Sequence, residues 1–86
     1  MPEEKKIGEV AHYFGKLGVA AIKITDDILK IGDTLHIKGH TTDLTQVVDS
    51  MEIDRKPISE AKPGDDIAIK VTGHVRDNDI VYKVIP

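Results

Sequence analysis

The stretch Pro63-Gly64-Asp65-Asp66-Ile67-Ala68-Ile69-Lys70-Val71 (PGDDIAIKV) sets the reading of the whole chain. Pro-Gly followed by aspartate is turn chemistry. Proline fixes its own φ, glycine accepts the positive φ a tight turn needs, and aspartate bonds back to nearby amides. Ile67, Ile69 and Val71 then alternate with polar or small residues, the period-two signature of a half-buried strand. A near copy lies upstream, IGDTLHIKG over Ile31 to Gly39. Gly32-Asp33, Leu35, Ile37 and Lys38 match Gly64-Asp65, Ile67, Ile69 and Lys70. A worn third copy, DNDIVYKV over Asp77 to Val84, keeps Asp79, Ile80, Tyr82 and Lys83, with Asp77-Asn78 where the glycine and aspartate would stand.

Outward from these repeats, the pattern continues as strand and turn. IGEVAHYF (Ile7 to Phe14) places Val10, His12 and Phe14 on one side, with a buried Phe14 expected to fill core. Gly15 to Gly18 is a turn. In the following LGVAAIKIT, Ala20, Ile22 and Ile24 share a face opposite Lys23 and Thr25. Gly39 to Thr41 turns the chain into TDLTQVVDSMEID, where the adjacent Val47-Val48 signals a bulge or a change of buried face. Asp54 to Pro63 is expected as a connection, with one helical turn at Ser59 to Lys62. Residues 1–6, MPEEKK, carry no apolar anchor and are expected to be a flexible tail, leaving residues 7–86 as one β-domain. About six strands, short turns and no helical period predict an all-β fold, a small closed six-stranded β-barrel.

Composition bounds the function. Aromatic residues make up 3% of the 86, so Ile, Val, Leu and Ala must fill the core. The absence of cysteine excludes disulfides and thiolate metal sites. No run of about 18 apolar residues spans a membrane and MPEEKK has no signal-peptide core, so the expected location is cytoplasmic. Twelve basic and 15 acidic residues, interspersed, give a net charge of −3. Proteins that bind nucleic acid through phosphate alone carry a basic excess, so any such surface here must be local.

The order of these turns and strands resembles domain 2 of the translational GTPases such as elongation factor Tu. It resembles still more the small barrel at the C-terminus of the collagenase-like peptidase family, where HYF, KIGD, a KG-TTD loop and a PGD turn recur. Stand-alone chains of this kind resemble what are called translation elongation factor-like proteins. The resemblance spans Ile7 to Val84 and implies an elongation-factor domain 2 barrel, which in the GTPases helps hold the acceptor end of aminoacyl-tRNA. This chain has no GxxxxGK[ST] loop, so no nucleotide or other cofactor is expected.

Candidate chemistry is sparse. His36 and His40 are four apart but separated by a turn, and with His12 and His74 they do not form the three or four convergent ligands zinc requires. DNDIVYK lacks the glycine and bidentate glutamate of a calcium loop, so its acids read as turn caps. Asp26-Asp27 and Asp65-Asp66 are adjacent turn residues pointing apart, a poor acid–base pair. No enzyme activity is expected. The outward parity of the second, third and fifth predicted strands collects Lys23, His36, Lys38 and Lys70, with Arg76 in a nearby loop. Were those strands neighbours, this would be a basic stripe for RNA, a tRNA-like end or the ribosome. The same residues also describe the solvated face every soluble β-domain has. Tyr13, at the HYFGKLG tip, is placed to stack on a base or anchor a partner. Two functions follow: an RNA-binding module, or a protein-binding adaptor that supplies in trans the barrel of a collagenase-like peptidase.

Overall fold

The computed structural model describes residues 3–85, which form strands joined by turns and short irregular segments. Ten strands form: β1 (Glu3–Phe14), β2 (Val19–Ile24), β3 (Leu29–Lys30), β4 (Thr34–Lys38), β5 (Asp43–Val47), β6 (Met51–Ile53), β7 (Lys56–Ile58), β8 (Glu60–Ala61), β9 (Asp66–Lys70) and β10 (Ile80–Ile85). Eight build one antiparallel sheet in the order β5-β4-β10-β1-β2-β9-β6-β7, and β3 pairs with β8. Among the described residues no helix is long and apolar enough to cross a membrane.

The sheet wraps an aliphatic core. Ile22 and Ile24 of β2, Leu35 and Ile37 of β4, and Ile67 and Ile69 of β9 are all at most 2% exposed, on the parity the alternation assigns them. Burying each such side chain contributes about 1.5–3 kcal/mol, which is how a core without one buried aromatic ring suffices. No buried side-chain polar atom lacks a partner among the described residues.

The three repeats are one turn used three times. Lys30–Asp33, Lys62–Asp65 and Arg76–Asp79 each close with the N–H of the aspartate donating to the carbonyl of the first residue. The aspartate carboxylate in turn accepts from that first residue's N–H, at 2.8, 2.9 and 2.8 Å. The third turn position has φ of +96° at Gly32, +97° at Gly64 and +72° at Asn78. Asn78 thus takes the glycine's place and Asp79 the aspartate's, one residue later than the sequence match set them. The buried counterpart of Leu35 and Ile67 is accordingly Val81, not Ile80.

Four expectations change. First, the backbone ladder is not a closed six-stranded barrel, because β5 and β7 end the sheet and no strand pair joins them among the described residues. The chain leaves β5 at Val48, whose N–H donates to the Asp33 carbonyl and whose own carbonyl accepts from Gly32 N–H. That detour splits the long run 42–54 into β5 and β6. Across the seam, the Gln46 carboxamide donates to the Lys70 carbonyl (2.8 Å) and accepts from Thr72 N–H (2.9 Å), one side-chain amide standing where a strand's peptide group would. Second, Glu3–Lys6 are strand rather than tail, paired with Tyr82–Ile85 of β10; Met1 and Pro2 lie outside the described residues. Third, the 54–63 connection holds β7 and β8 instead of a helical turn, with Asp54 and Arg55, both at positive φ, making a two-residue hairpin turn. Fourth, β1 has a register shift between Val10 and His12. Val10 faces inward opposite Ile22, but past the shift Tyr13 faces Ala20 inward, while His12 and Phe14 turn outward. Phe14 is 44% exposed.

Candidate binding surface

The β1–β2 hairpin ends in a four-residue turn, Gly15–Gly18. Leu17 N–H and Gly18 N–H both donate to the Phe14 carbonyl, and Gly18 sits at φ +65°, where a side chain would be strained. Leu17 is thereby held out in solvent at 70% exposure beside Phe14. The ring of Phe14 meets His12 edge-on at 4.6 Å, and Tyr13 meets His74 the same way at 4.6 Å. Asp77, from the loop between β9 and β10, accepts from Tyr13 N–H at 3.2 Å and lies 3.5 Å from His12 Nδ1. The tip is therefore tied to the 71–79 loop and is not a free flap.

Next to the tip, the outer face of the sheet is low, with Val19 and Ala68 set beside Lys70 and Glu52. Phe14 pairs with Val19, which pairs with Lys70; Ala21 pairs with Ala68 on the following row. The small Ala68 side chain leaves a depression of about 260 Å³ between Val19, Ser50, Glu52, Pro57 and Lys70.

The six residues singled out from sequence divide in two. Tyr13, Lys70 and Arg76 come together at this end of the molecule: Lys70 opposite Val19, Arg76 in the loop that Asp77 ties to the tip. Tyr13 is half-buried with its ring packed on His74, so it is a support more than a platform. Lys23, His36 and Lys38 do not join them. β2 and β9 are neighbours, but β10 and β1 stand between β4 and β2, so His36 and Lys38 are cut off from the other strands of the expected stripe. Lys23 faces Asp66 across β9, and Lys38 faces Asp43 across β5. The continuous basic stripe therefore does not exist. Sequence reasoning missed Leu17 and the hollow at Ala68. An apolar residue inside a glycine-bounded turn was the available signal for the first; the second needs the sheet register.

His36 is spent on structure. Its Nδ1 lies 2.6 Å from Glu4 Oε2 on β1 and its Nε2 2.5 Å from Asp43 Oδ1 on β5, reaching across β10. The side chain is 13% exposed. The hydrogen bond to Asp43 raises its pKa above the ordinary histidine value, desolvation opposes this, and Glu4 adds to the rise. The two carboxylates sit on opposite nitrogens of one ring and do not converge on a point. Among the described residues no group of three or more histidine, aspartate or glutamate side chains is arranged to hold a metal ion.

No protein-family model matches the chain. It is 42% identical over 78 residues to an uncharacterized protease of Methanocaldococcus jannaschii, covering 90% of this chain and 19% of that protein. It is 35% identical over 78 residues to a collagenase of Porphyromonas gingivalis, covering 90% and 22%. The chain thus spans about one fifth of the length of these curated relatives. Among solved structures, the C-terminal domain of a Geobacillus thermoleovorans U32 peptidase superposes with a TM-score of 0.85 at 20% identity, over 92% of this chain and 91% of that one. GDP-bound aIF5B of Aeropyrum pernix superposes with a TM-score of 0.66 at 14% identity, over 95% of this chain but 15% of that protein. The fold of this chain is the fold of that U32 peptidase C-terminal domain, and a translational GTPase carries a more distant version of it.

Proposed function

We propose that the chain is a non-catalytic protein-binding module that supplies, in trans, the domain a collagenase-like peptidase carries at its C-terminus. The observation that supports this most is mutual coverage. The chain corresponds to 91% of the U32 C-terminal domain and to about a fifth of the peptidase relatives, so it answers to that domain and not to the peptidase body. The side chains in reach of one another fit the same reading. His36 has both ring nitrogens engaged, and the turn aspartates are engaged on backbone amides. The RNA reading depended on a stripe that the sheet order separates, and it is not carried forward.

The test uses the Methanocaldococcus jannaschii relative without its matching 78-residue region, a body first verified to melt cooperatively. Gelatin hydrolysis is followed for that body alone, for this chain alone, and for the two together. The expected result is no cleavage by the chain alone, co-elution of chain and body on size exclusion, and faster cleavage by the pair. Cleavage by the chain alone, or the absence of any complex at tens of micromolar, overturns the proposal.

A further inference from the structure

We infer that the outer face running from the Phe14–Leu17 knuckle past Val19 into the hollow at Ala68 is the surface that docks on the peptidase body, and that the partner offers an apolar ridge flanked by carboxylates. This rests on the adaptor reading above and adds where and by what chemistry the contact is made.

The physical case begins with the cost of holding such side chains in water. Phe14 and Leu17 are 44% and 70% exposed and adjacent, in a chain whose remaining apolar residues are enough to fill its core. Both are pre-set. The Gly15–Gly18 turn fixes the Leu17 backbone, and the His12 ring and the cross-strand Val19 flank Phe14, so little backbone freedom is lost at the tip on binding. The hollow beside them is the complementary half: a protruding anchor next to a depression interlocks with a ridge, which a flat solvated face does not. Electrostatics then select the partner. Lys16, Lys70 and Arg76 border this end; of its carboxylates, Asp77 is turned onto His12 and the Tyr13 amide, and Glu52 lines the hollow opposite Ala68. A net-negative protein with a local cationic rim is steered onto an acidic rim. A nucleic acid fits less well, since an exposed leucine offers it nothing and Tyr13 is half-buried.

The test is binding of the wild-type chain and three variants to the truncated Methanocaldococcus jannaschii body by titration calorimetry, with thermal melts confirming that each variant folds. Leu17→Asp changes a side chain that supports nothing, and Ala68→Arg fills the hollow from the outward side of β9. Each is expected to weaken binding at least tenfold. Lys38→Glu, on the far side of the sheet, is expected to bind as the wild type does. If the wild type binds and all three variants bind equally, the docking face is wrong and the adaptor reading stands. If the wild type does not bind, the adaptor reading fails and this inference with it. A gel shift of bulk tRNA that Lys70→Glu abolishes would overturn the assignment in favour of nucleic acid.

Discussion

His36 is the residue where one proton has the widest structural consequence. A neutral imidazole has one N–H, so it donates to only one of Glu4 and Asp43 and presents a lone pair to the other carboxylate. Only the imidazolium satisfies both. The groups around it are Glu4 and Lys6 on β1, Tyr82 on β10, Asp43 and Thr45 on β5, and Lys38 on its own strand, so carboxylates hold both nitrogens and the lysines lie to the sides. Because its folded pKa is raised, the contribution to stability is fully present below the unfolded value of about 6.5 and is lost as pH rises through the folded pKa. The melting temperature is therefore expected to fall between pH 6 and pH 9, and His36→Gln is expected to flatten that slope. An NMR titration of His36 with a midpoint at or below about 6.5 would contradict the assignment.

At the level of the element, the same sequence logic succeeded or failed for identifiable reasons. The strands β2, β4 and β9 were legible because one parity is aliphatic and the other is not, and the three aspartate turns because a positive φ has few ways to be written. Ile80 and Val81 are both apolar, so alternation alone could not choose between them; the turn at Asn78 does. The β1 register shift was hidden because VAHYF alternates smoothly through it, and that shift is what sends Phe14 outward. Of the residues singled out from sequence, Tyr13, Lys70 and Arg76 fall at one end of the molecule because the β1–β2 hairpin and the 71–79 loop meet there. The rest of the stripe required the order of strands in the sheet, which no local pattern encodes. Two predictions belong here. Glu3–Lys6 are paired to β10 on one side, so the alternate amides that point to it should exchange far more slowly than those of a disordered peptide, and full exchange of all four within the dead time would restore the tail. Arg55 carries a φ of +66° in the β6–β7 turn, where glycine has no steric cost. Arg55→Gly is expected to raise stability by about 1 kcal/mol in a urea titration, and a loss would show that the arginine side chain holds the turn.

Across the whole molecule, the open ladder poses the remaining physical question, how a sheet with two ends avoids leaving raw edges. The β7 edge is shielded by composition, since Lys56 and Pro57 make it a poor template for another strand. The β5 edge carries Asp43 but neither lysine nor proline, and is shielded by attachment. Gln46 reaches the Lys70 carbonyl and the Thr72 amide, joining the first strand of the sheet order to the segment that leaves the sixth and bringing the two halves of the wrapped sheet into one cooperative unit. Two such bonds are worth about 0.5–1.5 kcal/mol each, toward the lower figure where water competes. Gln46→Ala should therefore destabilise the fold by about 1–2 kcal/mol. Gln46→Glu should be no better, since a carboxylate keeps the acceptor for Thr72 but turns a second acceptor onto the Lys70 carbonyl. Hydrogen exchange separates a seam from an ordinary surface contact. In Gln46→Ala, Thr72 and the amides of β5 should exchange through local opening, while Ile22 and Ile69 should change only by the global loss of stability. Uniform acceleration at all of these amides would mean that the sheet is held closed by its core alone.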